Sequence, residues 1–420
     1  MRLRARRVLP RLPALRSTLA AFAIPGYAAL WTSTASSAFG WTASLVAIGW
    51  IVLEISDSPF AVGATFAARL APALILGIPL GALADRFDRR RTLIAVNVAG
   101  AAAALLVAGF AAAGRLGLAE IFALSVGLGV LDTLRGTVGQ SYAYDLAGAG
   151  GSTNAIALAN LGGQLAGTVG GAAGGIVLQN AGVAVTFVMT ALPGLVAAAL
   201  LATSRRRAIE SAPAAPAPVR LVPSLGRSMT LIARNRLVAL IAAVVIVGEI
   251  LGFSSVTLYP TFARDVLHVD AAGLGAMSAA RGIGGIVGLL ALARFGFRGR
   301  GGALILGATI VFGLALVAFA ASSVFALSLA ILAAVGLTAS ALDTLGQSLI
   351  QQSVDDQERG AAMGIWFFAI GFGPFGHLGI GALAGIVGGP LAMAISGGLL
   401  ATLGIAIAVA TPLRRLGRPS

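Results

Sequence analysis

Gly81-Ala82-Leu83-Ala84-Asp85-Arg86-Phe87-Asp88-Arg89-Arg90-Arg91 is a short charged segment between two long apolar runs. The chain is 58% hydrophobic and only 10% charged, so a cluster of this kind must lie where water is present. A membrane-spanning helix requires about 20 mainly apolar residues, and the runs on both sides are long enough. The segment therefore predicts a turn between two membrane helices, and its excess of arginine places that turn on the cytoplasmic side.

The remaining sequence is apolar enough to cross a membrane many times. Its mean hydropathy is +0.95 and it contains 57 glycines, which excludes a soluble globular domain. Apolar runs between charged, proline or glycine breaks predict spans 1–12 at residues 25–53, 60–83, 92–113, 118–144, 153–178, 183–203, 237–260, 271–294, 302–321, 325–351, 360–386 and 389–411. We therefore predict an all-α integral membrane protein with twelve transmembrane helices.

The distribution of charge supports this number of spans. All 29 basic residues are arginines, and most lie in segments that twelve spans with a cytoplasmic N-terminus place on one side. The loops on the opposite side carry the acidic residues Glu54, Asp57, Glu120, Asp265 and Asp270. This asymmetry predicts a multi-pass protein of the inner (cytoplasmic) membrane with both termini in the cytoplasm. The net charge of +14 is expected to face anionic lipid headgroups of the bilayer, and no nucleic acid is expected as a partner.

The chain consists of two similar parts joined by a hydrophilic segment. The pattern of Gly63–Arg69 recurs 212 residues later in Gly275–Arg281, and Leu131–Leu134 recurs 211 residues later in Leu342–Leu345. The two matches fall in corresponding spans, 2 and 8 for the first and 4 and 10 for the second. Parallel repeats of six helices are typical of transporters that bind their substrate near the bilayer midplane, between the two halves.

These features predict five segments. They are a retained cytoplasmic tail at 1–24, a first six-helix bundle at 25–203, a cytoplasmic linker at 204–236, a second six-helix bundle at 237–411 and a cytoplasmic tail at 412–420. The linker is expected to contain a short helix at the membrane surface near Leu231.

Two motifs of the first half resemble those of one transporter family. Residues 81–91 are similar to the loop signature between helices 2 and 3 of the major facilitator superfamily. Residues 131–143 are similar to the helix-4 motif of the antiporters in that superfamily, with Val138 in place of the usual Gln. This resemblance implies exchange of the substrate against another species, here protons.

Two further motifs extend the resemblance. Residues 170–177 are similar to the helix-5 motif of exporters, with Gly171 in place of a Pro, and residues 352–376 also match this branch. From Tyr27 to Leu413 the chain resembles the major facilitator superfamily, especially the bacterial efflux branch that contains siderophore and macrolide exporters.

The resemblance implies a fold in which helices 1, 4, 7 and 10 line a central cavity that opens to each side of the membrane in turn. It also implies that the charged loop latches one of the two conformations. The alternative is that the arginines of the loop only set the topology of the protein in the membrane. The residues of this predicted latch are Gly81, Asp85, Arg86 and Arg89. Small residues of helix 5 are expected to allow close packing of helix backbones. The residues of this packing motif are Gly170, Gly174 and Gly175.

Three acidic residues lie within predicted spans, Asp132 in span 4, Glu249 in span 7 and Asp343 in span 10. A charge in the membrane costs about 2.5–3.5 kcal/mol on insertion scales, so each such residue calls for an explanation. Asp132 and Arg135 are one helical turn apart and are expected to pair, either as a proton-coupling switch or as a structural ion pair. Asp343 shares a polar helix face with Ser340 and Gln347, which is expected to line the cavity. For Asp343 the alternative is hydration near the cytoplasmic end of the span. Glu249 is expected to bind a proton or a cationic group, or to be a hydrogen-bonded structural acid.

Basic residues within the spans are candidates for substrate contact. Arg69 and Arg281 lie at equivalent depths in spans 2 and 8 and could attract an anionic substrate, while helix packing is the alternative. His377 in span 11 is a candidate for substrate contact or proton transfer, and a structural role is the alternative. Because the acids favour a cationic substrate and the arginines an anionic one, the charge of the substrate stays open.

The composition also limits the chemistry. The chain has no cysteine and only two histidines, and it lacks lysine and any nucleotide-binding motif. We therefore expect no metal site, no cofactor and no enzyme activity. The sequence predicts a monomeric secondary transporter that exports a small organic molecule, drug-like or siderophore-like, in exchange for protons. The alternatives are proton-coupled uptake of a small solute and a non-transporting membrane sensor or scaffold on the same fold.

Overall fold

The computed structural model describes residues 20–84, 87–204, 221–296, 300–355 and 358–411. Within these residues eleven helices are long and apolar enough to cross a membrane, and the longest of them, Asn154–Thr203, has 50 residues. At about 1.5 Å per residue this helix is about 75 Å long, roughly twice the length of a single crossing. Gly182 divides it, because its φ of 77° and ψ of −179° form a conformation that only glycine adopts readily. The predicted all-α fold with twelve spans is therefore confirmed.

The twelve spanning helices are numbered α1–α12 in chain order, and they agree with the predicted spans to within about one turn except at the end of α7. Their bounds are α1 Tyr27–Ser56, α2 Pro59–Ala84, α3 Arg89–Ala112, α4 Leu118–Gly148, α5 154–181, α6 183–203, α7 Arg236–Val266, α8 Ala271–Phe295, α9 Gly301–Ala320, α10 Phe325–Gln352, α11 Arg359–Val387 and α12 Gly389–Ala410.

Helix α7 is longer and less regular than the sequence predicts. The prediction ends it at residue 260, whereas the helix continues to Val266 through two π-helical turns and one stretch of 3₁₀-helix. The difference arises because Pro260 stands in the first turn of a new helical segment, Tyr259–Thr261, where a missing N–H group is tolerated. A π-helical turn, Gly248–Gly252, contains Glu249. Such turns occur frequently at functional sites.

Helix α11 has two parts. The first part is Arg359–Ile370 and the second is Gly373–Val387, with Pro374 in the first turn of the second part. Proline restricts the residue before it and donates no backbone hydrogen bond, which explains the interruption.

A further helix lies directly before α7, where the sequence predicts a short helix near Leu231. It covers Leu221–Arg234 and is called the connecting helix below. Leu231 is buried, and the Ser228 hydroxyl donates a hydrogen bond to the carbonyl oxygen of Ala361 at 3.0 Å. The connecting helix therefore packs on the first part of α11.

Each half of the chain has an apolar interior of its own. The second half, α7–α12, is built around one cluster whose largest members include Phe262, Phe312 and Phe319. The first half, α1–α6, has two smaller clusters, one containing Phe66 and the other Tyr27.

The two halves meet near one face of the membrane. Successive helices cross in opposite directions, so we name the faces by residues in their connections: the Asp57 face, between α1 and α2, and the Arg89 face, at the start of α3. Helix α5 packs on α8, and α2 packs on the second part of α11, which ends at the Asp57 face. Among the described residues, the first part of α11 packs instead on the connecting helix, α7 and α10. The halves are therefore in contact toward the Asp57 face and apart toward the Arg89 face.

Arg264, near the end of α7, joins the halves at the Asp57 face. Its Nη2 atom lies 2.5 Å from a carboxylate oxygen of Asp57, and its Nη1 donates to the carbonyl oxygen of Leu53 at 3.2 Å. Its Nε donates to the neighbouring Asp265 at 2.6 Å. Arg264 thus connects α7 to the last turn of α1.

Candidate functional site

A charged cluster lies in the membrane interior of the first half, and it consists of Arg69, Asp132 and Arg135. Arg69, which is 4% exposed, donates through Nε and Nη2 to one oxygen of Asp132, at 3.3 and 3.1 Å. Arg135 donates from Nη1 to the other oxygen at 2.9 Å. We call these three residues the first-half cluster. The structure pairs Asp132 with Arg135 and adds Arg69, for which sequence reasoning had offered substrate contact or packing.

Neighbouring side chains hold both guanidinium groups in place. Arg69 donates to the Ser44 hydroxyl at 2.7 Å, and its guanidinium carbon lies 4.1 Å from the centre of the Trp41 ring. Arg135 donates to the Ser37 hydroxyl at 3.0 Å. Charge-assisted hydrogen bonds and cation–π contacts of this kind are strengthened where water is excluded. Three residues of α1 therefore fix the arginines of α2 and α4.

The approach of α2 to α4 depends on one glycine. A Cβ atom at Gly129 would collide with the carbonyl group of Arg69, so the two backbones touch at this point. Asp132 lies three residues, about one turn, beyond Gly129 on the same face of α4. This register brings its carboxylate to the Arg69 guanidinium.

A small cavity adjoins the first-half cluster. Its volume is about 50 Å³, and its lining includes Trp41, Asn97 and Thr190 besides the three charged residues. Pockets for organic ligands usually measure about 300–1,000 Å³. The cavity is therefore too small to hold an organic substrate in this conformation.

The second half contains a different charged cluster, formed by Glu249 of α7, Arg281 of α8 and Asp343 of α10. Asp343 and Arg281 are the charged groups within electrostatic range of Glu249. Among the described residues neither carboxylate forms an ion pair or hydrogen bond, and both are half-buried. The Arg281 guanidinium carbon lies 6.0 Å from the centre of the Phe253 ring. We call these three charged residues the second-half cluster.

Glu249 lies close to the contact between the halves. A Cβ atom at Gly373 of α11 would be 3.6 Å from a Glu249 carboxylate oxygen and 3.7 Å from Leu70 of α2. The predicted polar stripe of α10 is half-buried at Asp343 and Gln347 and lies beside fully packed positions of the same helix. These groups are consequently not part of the apolar core.

A shift of one helical turn explains why Arg281 and Asp343 do not pair as Arg69 and Asp132 do. In the second half the backbone of Arg281 touches Gly336, and Asp343 lies seven residues beyond this glycine, compared with three in the first half. Four additional residues correspond to about 6 Å along a helix axis. Asp343 is therefore displaced toward the Arg89 face, away from the arginine.

The repeats also differ in their charge. At the offset of 212 residues that relates Arg69 to Arg281, the aromatic Trp41 corresponds to Phe253, and Ser37 corresponds to Glu249. At the offset of 211 residues, Arg135 corresponds to Gly346. The first half thus has two arginines and one acid, whereas the second half has one arginine and two acids. Extending the repeat alignment to α1 and α7 would have revealed this difference from the sequence.

His377 lies in a packed interface between helices. It is 6% exposed, its Nδ1 is 2.6 Å from the Thr257 hydroxyl, and its ring meets the edge of Phe66. A Cβ atom at Gly63 of α2 would collide with its carbonyl oxygen. His377 therefore joins α11 to α2 and α7.

The predicted latch is described only in part. Gly81 belongs to the last turns of α2, whereas Asp85 and Arg86 lie outside the described residues. Arg89 pairs with Asp145 of α4, with 2.5 Å between Nη1 and the carboxylate oxygen, and the N-cap of α3 is Asp88.

Sequence reasoning missed two parts of this arrangement. Asp145, the partner of Arg89, is the only acid near the end of span 4, which is the signal that could have identified it. Arg90 donates to the carbonyl oxygens of Leu201 and Ala202 at 2.6 and 2.7 Å, and so caps the C-terminus of α6. The charged turn therefore ties α3 to both α4 and α6.

The glycines of the helix-5 motif lie at close contacts between backbones. Cβ atoms at Gly170 and Gly174 would collide with backbone atoms of α1, at Phe39 and Ala43. A Cβ atom at Gly175 would collide with α8 in the other half. These glycines therefore allow α5 to pack closely on α1 in its own half and on α8 in the other half.

Twelve membrane helices in two repeats, with charged groups inside each half, are typical of membrane transporters. Residues 16–418 match the major facilitator family MFS_3, described as Transmembrane secretion effector, and the chain belongs to this family. This is a family of transporters and not of enzymes. Among the described residues no group of three histidine, cysteine or acidic side chains could hold a metal ion.

Solved structures share the fold. The nucleoside transporter NupG has a TM-score of 0.70 and 16% identity, over 91% of this chain and 98% of that chain. A bacterial homologue of the human lysosomal transporter Spinster, in an inward-facing and unoccupied conformation, has a TM-score of 0.69 and 13% identity, over 93% of this chain and 96% of that chain. No curated protein matches the chain.

Proposed function

We propose that the protein is a monomeric inner-membrane transporter that exports a small organic molecule, drug-like or siderophore-like, in exchange for protons. The observation that carries the proposal is the pair of half-buried carboxylates, Glu249 and Asp343, near the contact between the halves and without an ion pair among the described residues. Carboxylates of this kind can gain and lose a proton as the site opens and closes.

The assignment of roles follows from the partners of each acid. Asp132 is held by two guanidinium groups, one on each of its carboxylate oxygens. We assign it, with Arg69 and Arg135, to the architecture of the first half. We assign proton binding to Glu249 and Asp343, with Arg281 as the counter-charge of Glu249.

The remaining elements have roles in alternating access. We propose that the Arg89 face is cytoplasmic, because most arginines outside the spans belong to it. The bundles 25–203 and 237–411 would then move relative to each other about the linker 204–236. Arg89, with Gly81, Asp85 and Arg86, would latch one conformation. Gln347 and His377 would contribute to the cavity and to the interface.

Uptake of a small solute is the second candidate. A cleft that opens toward the cytoplasm loads an exporter and unloads an importer, so the conformation itself is compatible with both. Export is preferred because residues 131–143 resemble the helix-4 motif of antiporters and residues 170–177 resemble the helix-5 motif of exporters. The similarity to a nucleoside transporter is one of fold.

Accumulation of a chemically broad compound panel in an efflux-deficient bacterium tests the proposal. The wild type should lower accumulation of at least one compound, and a protonophore should abolish this effect. Glu249→Gln should raise accumulation to the empty-vector level at normal membrane expression. Glu54→Gln, an exposed acid at the end of α1, is the matched control and should behave as the wild type.

Three results would contradict the proposal. Export that survives in Glu249→Gln and in Asp343→Asn would exclude these acids as the proton site. Export that is insensitive to the protonophore would exclude proton exchange. A compound whose accumulation rises in the wild type would establish uptake.

A further inference from the structure

The first-half cluster carries more positive than negative charge. Arg69 and Arg135 share one carboxylate, that of Asp132, which leaves one positive charge without a partner. Asp132 is also the only acidic residue that lines the adjoining cavity within the described part of the chain. An uncompensated charge in the membrane interior is unfavourable. The cluster therefore favours a further negative group in its vicinity.

One residue that lines the cavity has a hydrogen-bond donor without an acceptor. The Nε atom of Arg135 is buried and has no hydrogen-bond partner among the described residues. Arg135 lines the cavity together with Arg69, Trp41 and Ser36, which are all residues that can donate hydrogen bonds. The volume of about 50 Å³ exceeds the roughly 10–15 Å³ that a single water needs. A small inorganic ion therefore fits.

We propose that this cavity binds one small inorganic anion of halide size, held by Arg135 and Arg69. The site is separate from the proposed proton site, and it does not depend on which solute is transported. Its occupant neutralises the first-half cluster and satisfies the free N–H group of Arg135.

A water molecule is the competing occupant. Asn97 also lines the cavity, and its buried Oδ1 atom has no hydrogen-bond partner among the described residues, so a water could donate to it while it accepts from Arg135. Water leaves the positive charge uncompensated, however, whereas an anion removes it. Repulsion by Asp132 is reduced because each of its oxygens already accepts a hydrogen bond from a guanidinium group.

The second half provides an internal comparison. The position that corresponds to Ser37, whose hydroxyl lies 3.0 Å from Arg135, is occupied by Glu249. At this position the second half has the carboxylate of Glu249. The first half has the hydroxyl of Ser37, beside Arg135 of a cluster that carries excess positive charge. A carboxylate at residue 37 should consequently replace the bound anion.

Thermal unfolding of the purified full-length protein tests the site. The Tm is measured in sodium chloride, sodium bromide and sodium gluconate at the same ionic strength and pH. We expect saturable increases of a few degrees with chloride and bromide relative to gluconate, because a ligand that binds only the folded state stabilises it. Ser37→Glu and Arg135→Gln should abolish the increase. Ser37→Ala, which removes the hydroxyl without adding charge, should retain it.

Bromide also permits a direct measurement. Crystals grown with bromide should show an anomalous scattering peak within hydrogen-bond distance of Arg135 Nε. Equal Tm values of the wild type in all three salts would overturn the proposal and leave water as the occupant. A halide effect that persists in both Ser37→Glu and Arg135→Gln would place the anion elsewhere and would overturn it as well. Neither the Tm nor the anomalous peak requires transport activity. Failure of the anion site can therefore be distinguished from failure of the proposed function.

Discussion

Removal of the Arg264 side chain should shift the protein toward a conformation that is open at the Asp57 face. Arg264 belongs to α7 in the second half, and it binds Asp57 and the Leu53 carbonyl oxygen of the first half. These bonds must break when the halves separate at this face. The interaction with Asp265, within the second half, can persist in both conformations.

The expected magnitude follows from the exposure of the partners. The side chain of Asp57 is 83% exposed and that of Arg264 is 30% exposed, so the ion pair contributes about 0.2–1 kcal/mol. The hydrogen bond to the carbonyl of Leu53 adds about 0.5–1.5 kcal/mol. Together they stabilise the closed Asp57 face by about 1–2 kcal/mol, and their loss should raise the open population by about 5–30-fold.

A single reporter thiol measures this population, because the chain has no cysteine of its own. Ser278→Cys places the thiol on α8, where the serine hydroxyl faces Gly171 of α5 across the interface. The initial rate of modification by a membrane-impermeant thiol reagent, applied from the Asp57 face, is proportional to the open fraction. Arg264→Ala should raise this rate by about 5–30-fold.

Two control variants separate the cross-half contact from a change in surface charge. Arg115→Ala removes an exposed arginine from the same face, in the loop between α3 and α4, and should leave the rate unchanged. Arg264→Lys keeps the charge but not the forked geometry and should give an intermediate rate. If Arg264→Ala alters the rate no more than Arg115→Ala does, the bonds to Asp57 and Leu53 do not hold this face closed.

Three further predictions concern stability and packing. Gly336→Ala should destabilise the protein by about 1–3 kcal/mol, because the added Cβ would meet the backbone of α8. Gly379→Ala is the control: its added Cβ would meet nothing within 4 Å, so the Tm should be unchanged or higher. Asp132→Ala should lower the free energy of unfolding by about 3–5 kcal/mol, since it leaves two buried arginines without a carboxylate; a Tm within error of the wild type would contradict this. Asp145→Asn should destabilise the protein by about 1 kcal/mol through loss of its partly buried ion pair with Arg89. A double-mutant cycle with Arg89→Gln should give a coupling energy of similar size, and a coupling energy of zero would contradict the prediction.

Features of the chain that are local in sequence could be predicted. The pairing of Asp132 with Arg135 follows from their spacing of three residues on one helix, and the break between α5 and α6 follows from the apolar runs around Gly182. The spans themselves follow from hydropathy. Each of these predictions requires only the geometry of a single helix.

Features that depend on the register between helices could not be predicted. Sequence reasoning treated Arg69 and Arg281 as equivalent, but only the first pairs directly with an aspartate, because α10 is displaced by one turn relative to α8. The displacement depends on which glycine meets the arginine backbone, Gly129 or Gly336. Several glycines on each helix could have served, so the hydrophobic pattern alone does not select between them.

Helix α8 is enclosed by backbone contacts on two sides. Gly275 meets Gly175 of α5 in the first half, and Gly284 meets the backbone of Ala333 in α10. Arg281 lies between these two contacts, about two turns from the first and one turn from the second. A tilt of α8 within the second half that separates it from α5 also moves Arg281 relative to Glu249 of α7. Helix α8 thus supplies both a backbone contact between the halves and the positive charge that acts on Glu249.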